Sequence, residues 1–160
     1  MSNPDSRRRR APVPVDQCGA ALATEILSDR WTWLIIRELL YGISRYEDIR
    51  ADIGIPRSVL TQRLTRLVDL DLVERQPYRE AGARTRHKYV LTEKGQALKL
   101  TILALMQWGD AYLKDGRSAL DIRHPRTNAP LHVALVPDGT ESVPVEGARI
   151  IPCPDLDPSH

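Results

Sequence analysis

Helical spacing of apolar residues dominates the first seventy positions. From Gln17 to Leu27, Ala21, Leu22 and Ile26 fall at that spacing and predict a first helix. Ser28 and Asp29 can cap a second, Trp31–Tyr41, with Trp31, Leu34, Ile35 and Leu39 on one face and Trp33, Ile36 and Leu40 on another. A helix apolar most of the way round belongs at the centre of a core, and Gly42 ends this one. Ser44 with Glu47 three residues on reads as a capping box for a third helix, which turns Tyr46, Ile49 and Ile53 inward and stops at Gly54. Pro56 then sits near the first turn of a fourth helix, where its missing N–H costs nothing.

The fourth helix, residues 56–70, separates its faces most cleanly. Leu60, Leu64 and Leu67 form the buried side, and Arg57, Ser58, Thr61, Gln62 and Thr65 the opposite one. Strands are expected near Val73–Tyr78 and His87–Leu91, joined by a turn rich in Arg and Gly. Thr92 can cap a long last helix whose stripe is Leu98, Ile102, Leu105, Trp108 and Tyr112, with Leu100 and Leu103 extending the apolar surface beyond it. Past Gly116, Leu131–Val136 and Val143–Ile151 flank Pro137-Asp138-Gly139 and predict a β-hairpin at 131–151.

The fold class expected is α+β, mainly α: a short helix-turn-helix followed by a two-stranded wing, a C-terminal dimerisation helix and a small C-terminal β-hairpin appendage. The domains expected are a disordered basic arm at 1–16, a winged-helix body at 17–115 and an extension at 116–160.

Charge sharpens this picture. The net charge is only +2, but residues 57–88 hold eight Arg or Lys against four Asp or Glu. After Lys114 the balance reverses, with seven acidic residues against four Arg. Positive field is therefore concentrated on the fourth helix and the wing, the two elements a winged helix offers to a major groove and to phosphates. Double-stranded DNA is the partner expected. Arg57, Ser58, Thr61, Gln62, Thr65 and Arg66 supply the helix contacts, and Arg79, Arg84, Arg86 and Lys88 those of the 78–88 wing. Gln62 has the geometry for a bidentate pair with adenine, and Arg57 for guanine or a phosphate. The four consecutive arginines at 7–10 suit a backbone or minor groove, or simply a solvated tail.

Other classes find little support. The two cysteines, Cys18 and Cys153, stand far apart with no CxxC partner, so neither a disulfide framework nor a zinc cluster is indicated. His124, His132 and Cys153 lack ligand spacing, so no metal and no cofactor are expected. No constellation suggests a catalytic nucleophile. The most apolar run, WTWLIIRELL, is too short for a bilayer and the basic N-terminus lacks a signal peptide's apolar stretch, so a soluble protein of the bacterial cytoplasm is expected.

Across Cys18–Leu113 the motifs resemble the HxlR family of winged helix-turn-helix regulators, relatives of the MarR type. The resemblance is carried by Cys18, Trp31, Leu34–Leu40, Tyr46–Ile49, LTQRL at Leu60–Leu64, Leu72-Val73-Glu74-Arg75, Tyr78, Arg86, Tyr89–Gly95 and Trp108, in that order. Four departures accompany it: Ser28-Asp29 replace small residues, Pro56 a Ser or Thr, Asp71 a Gly, and Ala83, Arg84 and Thr85 a Pro-rich wing. The resemblance implies a homodimeric transcription regulator, with Leu22, Ile26, Leu98, Ile102, Leu105, Trp108 and Tyr112 at the interface. Occupancy is then set by a small-molecule effector between subunits, by oxidation of Cys18 or by neither; redox-responsive members of the family carry their sensing cysteine here. The competing reading is a winged-helix protein-interaction module that docks through the C-terminal hairpin.

Overall fold

A computed structural model describes residues 13–79, 85–114 and 116–153. Within them α1 spans Gly19–Ile26, α2 Arg30–Leu40, α3 Tyr46–Ile53 and α4 Arg57–Asp69. The wing strands β1 (Val73–Tyr78) and β2 (Arg86–Leu91) pair antiparallel with Tyr78 opposite Arg86 and Val73 opposite Leu91. A short α5, Glu93–Gln96, and a long α6, Lys99–Leu113, follow. The extension contributes β3 (Leu120–Arg123) and β4 (Arg149–Pro152).

The central helix is α2, as its apolar circumference predicts. Ile35 and Ile36 are fully buried and meet Ile49, Ile55, Leu60, Leu64, Leu67, Leu72, Val73, Leu91 and Ile102 in one core. Each such side chain contributes about 1.5–3 kcal/mol by leaving water. Asp29 caps α2: its Oδ1 accepts from the Trp31 and Thr32 amides at 3.1 and 3.2 Å, and its Oδ2 from the Thr32 hydroxyl at 2.7 Å. Arg63 on α4 donates to the same carboxylate at 3.0 Å, joining the two helices. Burial pushes the Asp29 carboxyl up, but the hydrogen bonds from Thr32 and Arg63 outweigh it and hold the group below the ordinary carboxylate range.

The turn between α4 and the wing is locked from below. Asp71 takes φ +56°, the left-handed conformation that glycine adopts most readily. Thr92 Oγ1 donates to the Asp71 carbonyl at 2.7 Å, and Lys94 Nζ to the Leu70 carbonyl at 2.7 Å. At Gly95 an added Cβ would lie 2.1 Å from the Leu72 carbonyl oxygen, so only glycine permits this approach.

Four expectations are corrected. The Ser44–Glu47 capping box does not form: Arg45 is the N-cap of α3 and makes no side-chain cap. Residues 44–45 are instead drawn to the sheet edge, where the Ser44 carbonyl accepts the Tyr89 amide at 2.8 Å and Arg45 bridges Lys88. Thr92 caps only α5, through the Gly95 amide at 3.1 Å, and the helix restarts at Lys99. Ile102 is 5% exposed and packs in the chain's own core, so it presents no side chain to a second subunit.

The fourth correction concerns the extension. Residues 131–136 form no strand, and the predicted hairpin at 131–151 is absent. Its turn is present, with the Thr140 amide donating to the Pro137 carbonyl at 3.2 Å, but its arms are engaged elsewhere. Gln107 on α6 accepts from the Val133 amide at 2.8 Å and donates to the Val133 carbonyl at 3.0 Å. The Leu131 amide donates to Ile122 at 2.7 Å, and Ile150 and Ile151 pair with β3. The antiparallel pair that does form is therefore β3–β4.

Candidate nucleic-acid interface

The outward face of α4 is built by the burial of the inward one. With Leu60, Leu64 and Leu67 fixed in the core, helical geometry leaves Arg57, Ser58, Thr61, Gln62 and Thr65 exposed on the opposite side. Tyr46, at the start of α3, reaches across to this face. Its hydroxyl donates to the Arg57 carbonyl at 2.8 Å and lies 2.9 Å from Thr61 Oγ1. Gln62 Oε1 accepts from Arg63 Nη1 at 3.0 Å.

Arg66 behaves differently from its neighbours. Its Nη2 donates to the Glu25 carbonyl at 2.6 Å, so this guanidinium ties α4 to α1. In the wing, Arg79 and Arg86 are exposed and Lys88 is half-buried beside Arg45. Arg84 and the arginines at 7–10 lie outside the described residues.

Between the start of α3, the first turns of α4 and the wing lies an open groove of ≈ 610 Å³, lined by Arg45, Arg57, Arg75 and Arg86 together with Tyr46 and Tyr78. Arg45 lies over the Tyr78 ring at 5.1 Å and Arg57 over the Tyr46 ring at 5.8 Å. Arg75 Nη2 is 3.0 Å from His87 Nδ1. Glu47 also lines the groove and binds two arginines, Arg57 Nη2 through Oε1 and Arg50 Nε through Oε2, each at 2.9 Å. The Arg50 hydrogen bond, with the charge of Arg57, holds the Glu47 carboxyl below the ordinary range. Sequence reading missed Arg45, Arg75 and Tyr78 as groove residues, because only the register of β1 on β2 and the bridge at Arg45 bring them to one place.

A helix-turn-helix followed by a basic two-stranded wing is the arrangement that places the chain, and residues 26–117 match the family model for HxlR-like helix-turn-helix proteins. The chain belongs to the HxlR-like helix-turn-helix family. An uncharacterised HTH-type transcriptional regulator of Mycobacterium tuberculosis, MT3179, is 46% identical over 91 residues, 57% of this chain and 56% of that protein. This HxlR-like chain thus aligns with little more than half the length of that relative. The HTH-type regulator YodB of Bacillus subtilis is 35% identical over 95 residues, 59% of this chain and 83% of its own. The reduced form of YodB superposes with a TM-score of 0.52 at 33% identity, covering 62% of this chain and 98% of that one. PA1607, a candidate transcription factor, gives a TM-score of 0.55 at 28% identity over 79% of this chain and 80% of its own, a likeness that extends beyond the family-matched segment.

The remaining predicted residues divide by exposure. Leu22, Leu105, Trp108 and Tyr112 are exposed, at 47%, 50%, 54% and 72%. Ile26 and Leu98 pack half-buried against the core. The rings of Trp108 and Tyr112 lie 5.6 Å apart. Cys18 is the N-cap residue of α1 and is half-buried. Among the described residues no cluster of His, Cys, Asp or Glu could hold a metal, and no helix is long and apolar enough to cross a membrane.

Proposed function

We propose that two copies of this chain bind duplex DNA as a sequence-specific transcription repressor. The observation that carries this reading is the exposed polar face of α4 beside an arginine-lined groove. In this reading α4 enters the major groove, where Ser58, Thr61, Gln62 and Thr65 meet base edges and Arg57 meets guanine or a phosphate. Arg79 and Arg86 contact the backbone and set register without reading sequence. Leu22, Leu105, Trp108 and Tyr112 pair with their counterparts in a second subunit. That pairing places two copies of α4 about 34 Å apart, on a pseudo-palindromic operator. Bound there, the dimer blocks access to its promoter. Oxidation of Cys18, at the start of α1, is the route of control.

The docking alternative loses its element, since residues 131–136 form no strand. The test is a titration of the purified chain against the DNA upstream of its own gene and a scrambled duplex, at two salt concentrations, with and without diamide. Selective binding that falls steeply with salt is the expected result. Equal affinity for both duplexes would remove sequence reading. Diamide release that persists in a Cys18→Ser variant would remove the thiol.

A further inference from the structure

We propose that Glu47 is a positioning residue of the DNA interface, holding Arg57 across the Tyr46 ring and lowering the attraction of the groove for the phosphates of any duplex. This rests on the DNA-binding reading above and deepens it. Four guanidiniums line the groove, with the carboxylates of Glu47 and Asp48 among them, and only Glu47 is paired to Arg57 there. Its two oxygens are both engaged, by Arg57 and by Arg50.

The Glu47–Arg57 pair itself adds little stability. The Glu47 and Arg57 side chains are 56% and 67% exposed, and pairs so open to water contribute about 1 kcal/mol or less. Its electrostatic effect on a polyanion is larger in kind, because every duplex offers the same phosphates whatever its sequence. A carboxylate beside Arg57 weakens that sequence-independent attraction. Base-edge contacts from Thr61 and Gln62, which lie further along α4, are left intact. Affinity for every duplex falls by the same term, and the ratio between two sequences is left to the base-edge contacts. A pair this weak is also easily exchanged when a correctly placed base or phosphate meets Arg57.

The test uses the full chain with two duplexes, the upstream DNA and a scrambled sequence of the same composition, over a salt series. Glu47→Gln is expected to bind the scrambled duplex up to about fivefold tighter. Its plot of log affinity against log salt should steepen by about 0.9, one phosphate contact. The cognate duplex should tighten by a similar factor, leaving the ratio of cognate to scrambled affinity unchanged. Glu47→Asp keeps the charge and should retain most of the wild-type affinity and salt slope, and in an Arg57→Ala background the gain from Glu47→Gln should fall by at least half. An unchanged thermal midpoint shows that folding is not the cause. Equal weakening on both duplexes, or unchanged affinity and slope, overturns the assignment to Glu47 while leaving DNA binding intact. No shift of either duplex by wild type at the lowest salt overturns the DNA-binding reading, and this proposal with it.

Discussion

α4 and α6 pack against one core yet turn opposite chemistries outward. α4 buries Leu60, Leu64 and Leu67 and exposes Arg57, Ser58, Thr61, Gln62 and Thr65. α6 buries Ile102 and Leu103 and exposes Leu105, Trp108, Tyr112 and Leu113. A polar outer face is at home in water and needs a partner only for function. Large exposed apolar side chains in one stretch are costly in water and mark a surface meant to be covered. The two helices therefore divide the proposed work, α4 meeting DNA and α6 a second subunit.

The largest expected effect tests what both helices share. Leu64→Ala, at a site 1% exposed, should cost about 2–5 kcal/mol in chemical denaturation, and a loss under 1 kcal/mol would show that α4 is not anchored as described. The outer face of α6 should respond differently. Trp108→Glu should leave the monomer folded by circular dichroism, convert dimer to monomer in analytical ultracentrifugation, and lower DNA affinity at least tenfold. A variant that stays monomeric and binds DNA at full strength would break the division of labour. On α4, Gln62→Ala should cost about 1–3 kcal/mol on the cognate duplex and little on a scrambled one. Equal loss on both would make α4 a phosphate-binding helix.

Smaller effects probe how α4 is held in place. Asp29→Ala removes the cap of α2 and the partner of Arg63, and should cost about 1–2 kcal/mol at neutral pH. The folded Asp29 carboxyl lies below its ordinary value, so its stabilisation is complete above about pH 4 and is lost as pH falls through the folded value. The difference between wild type and variant should narrow in that acid window, and a difference independent of pH would refute the charge contribution. Asp71→Gly relieves a left-handed conformation at the end of α4 and should raise stability by up to about 1 kcal/mol in thermal unfolding.

Where pattern and environment coincide, the chain is legible residue by residue. The α4 pattern was readable because one face is wholly apolar and the other wholly polar, so a single period assigns both. Asp71 stood out through the resemblance, because the family carries a glycine there, the residue that most readily takes a left-handed backbone. Legibility fails where two partners compete for one group. Ser44 and Glu47 have cap spacing, yet the β2 amide of Tyr89 takes the Ser44 carbonyl and arginines take the Glu47 carboxylate. The stripe on α6 spreads over more than one face, so spacing alone could not separate Ile102, which is inside, from Trp108, which is outside.

By itself, then, the order of polar and apolar residues determined the helices, the wing and the polar face of α4, since local periodicity and turn chemistry act within a few residues. Tertiary structure alone decided that Gln107 and β3 take the backbone groups of the expected C-terminal hairpin. It alone brought Arg45, Arg57, Arg75 and Arg86 into one groove with Glu47. Both outcomes depend on which distant groups come within hydrogen-bonding reach, and no local period encodes that distance.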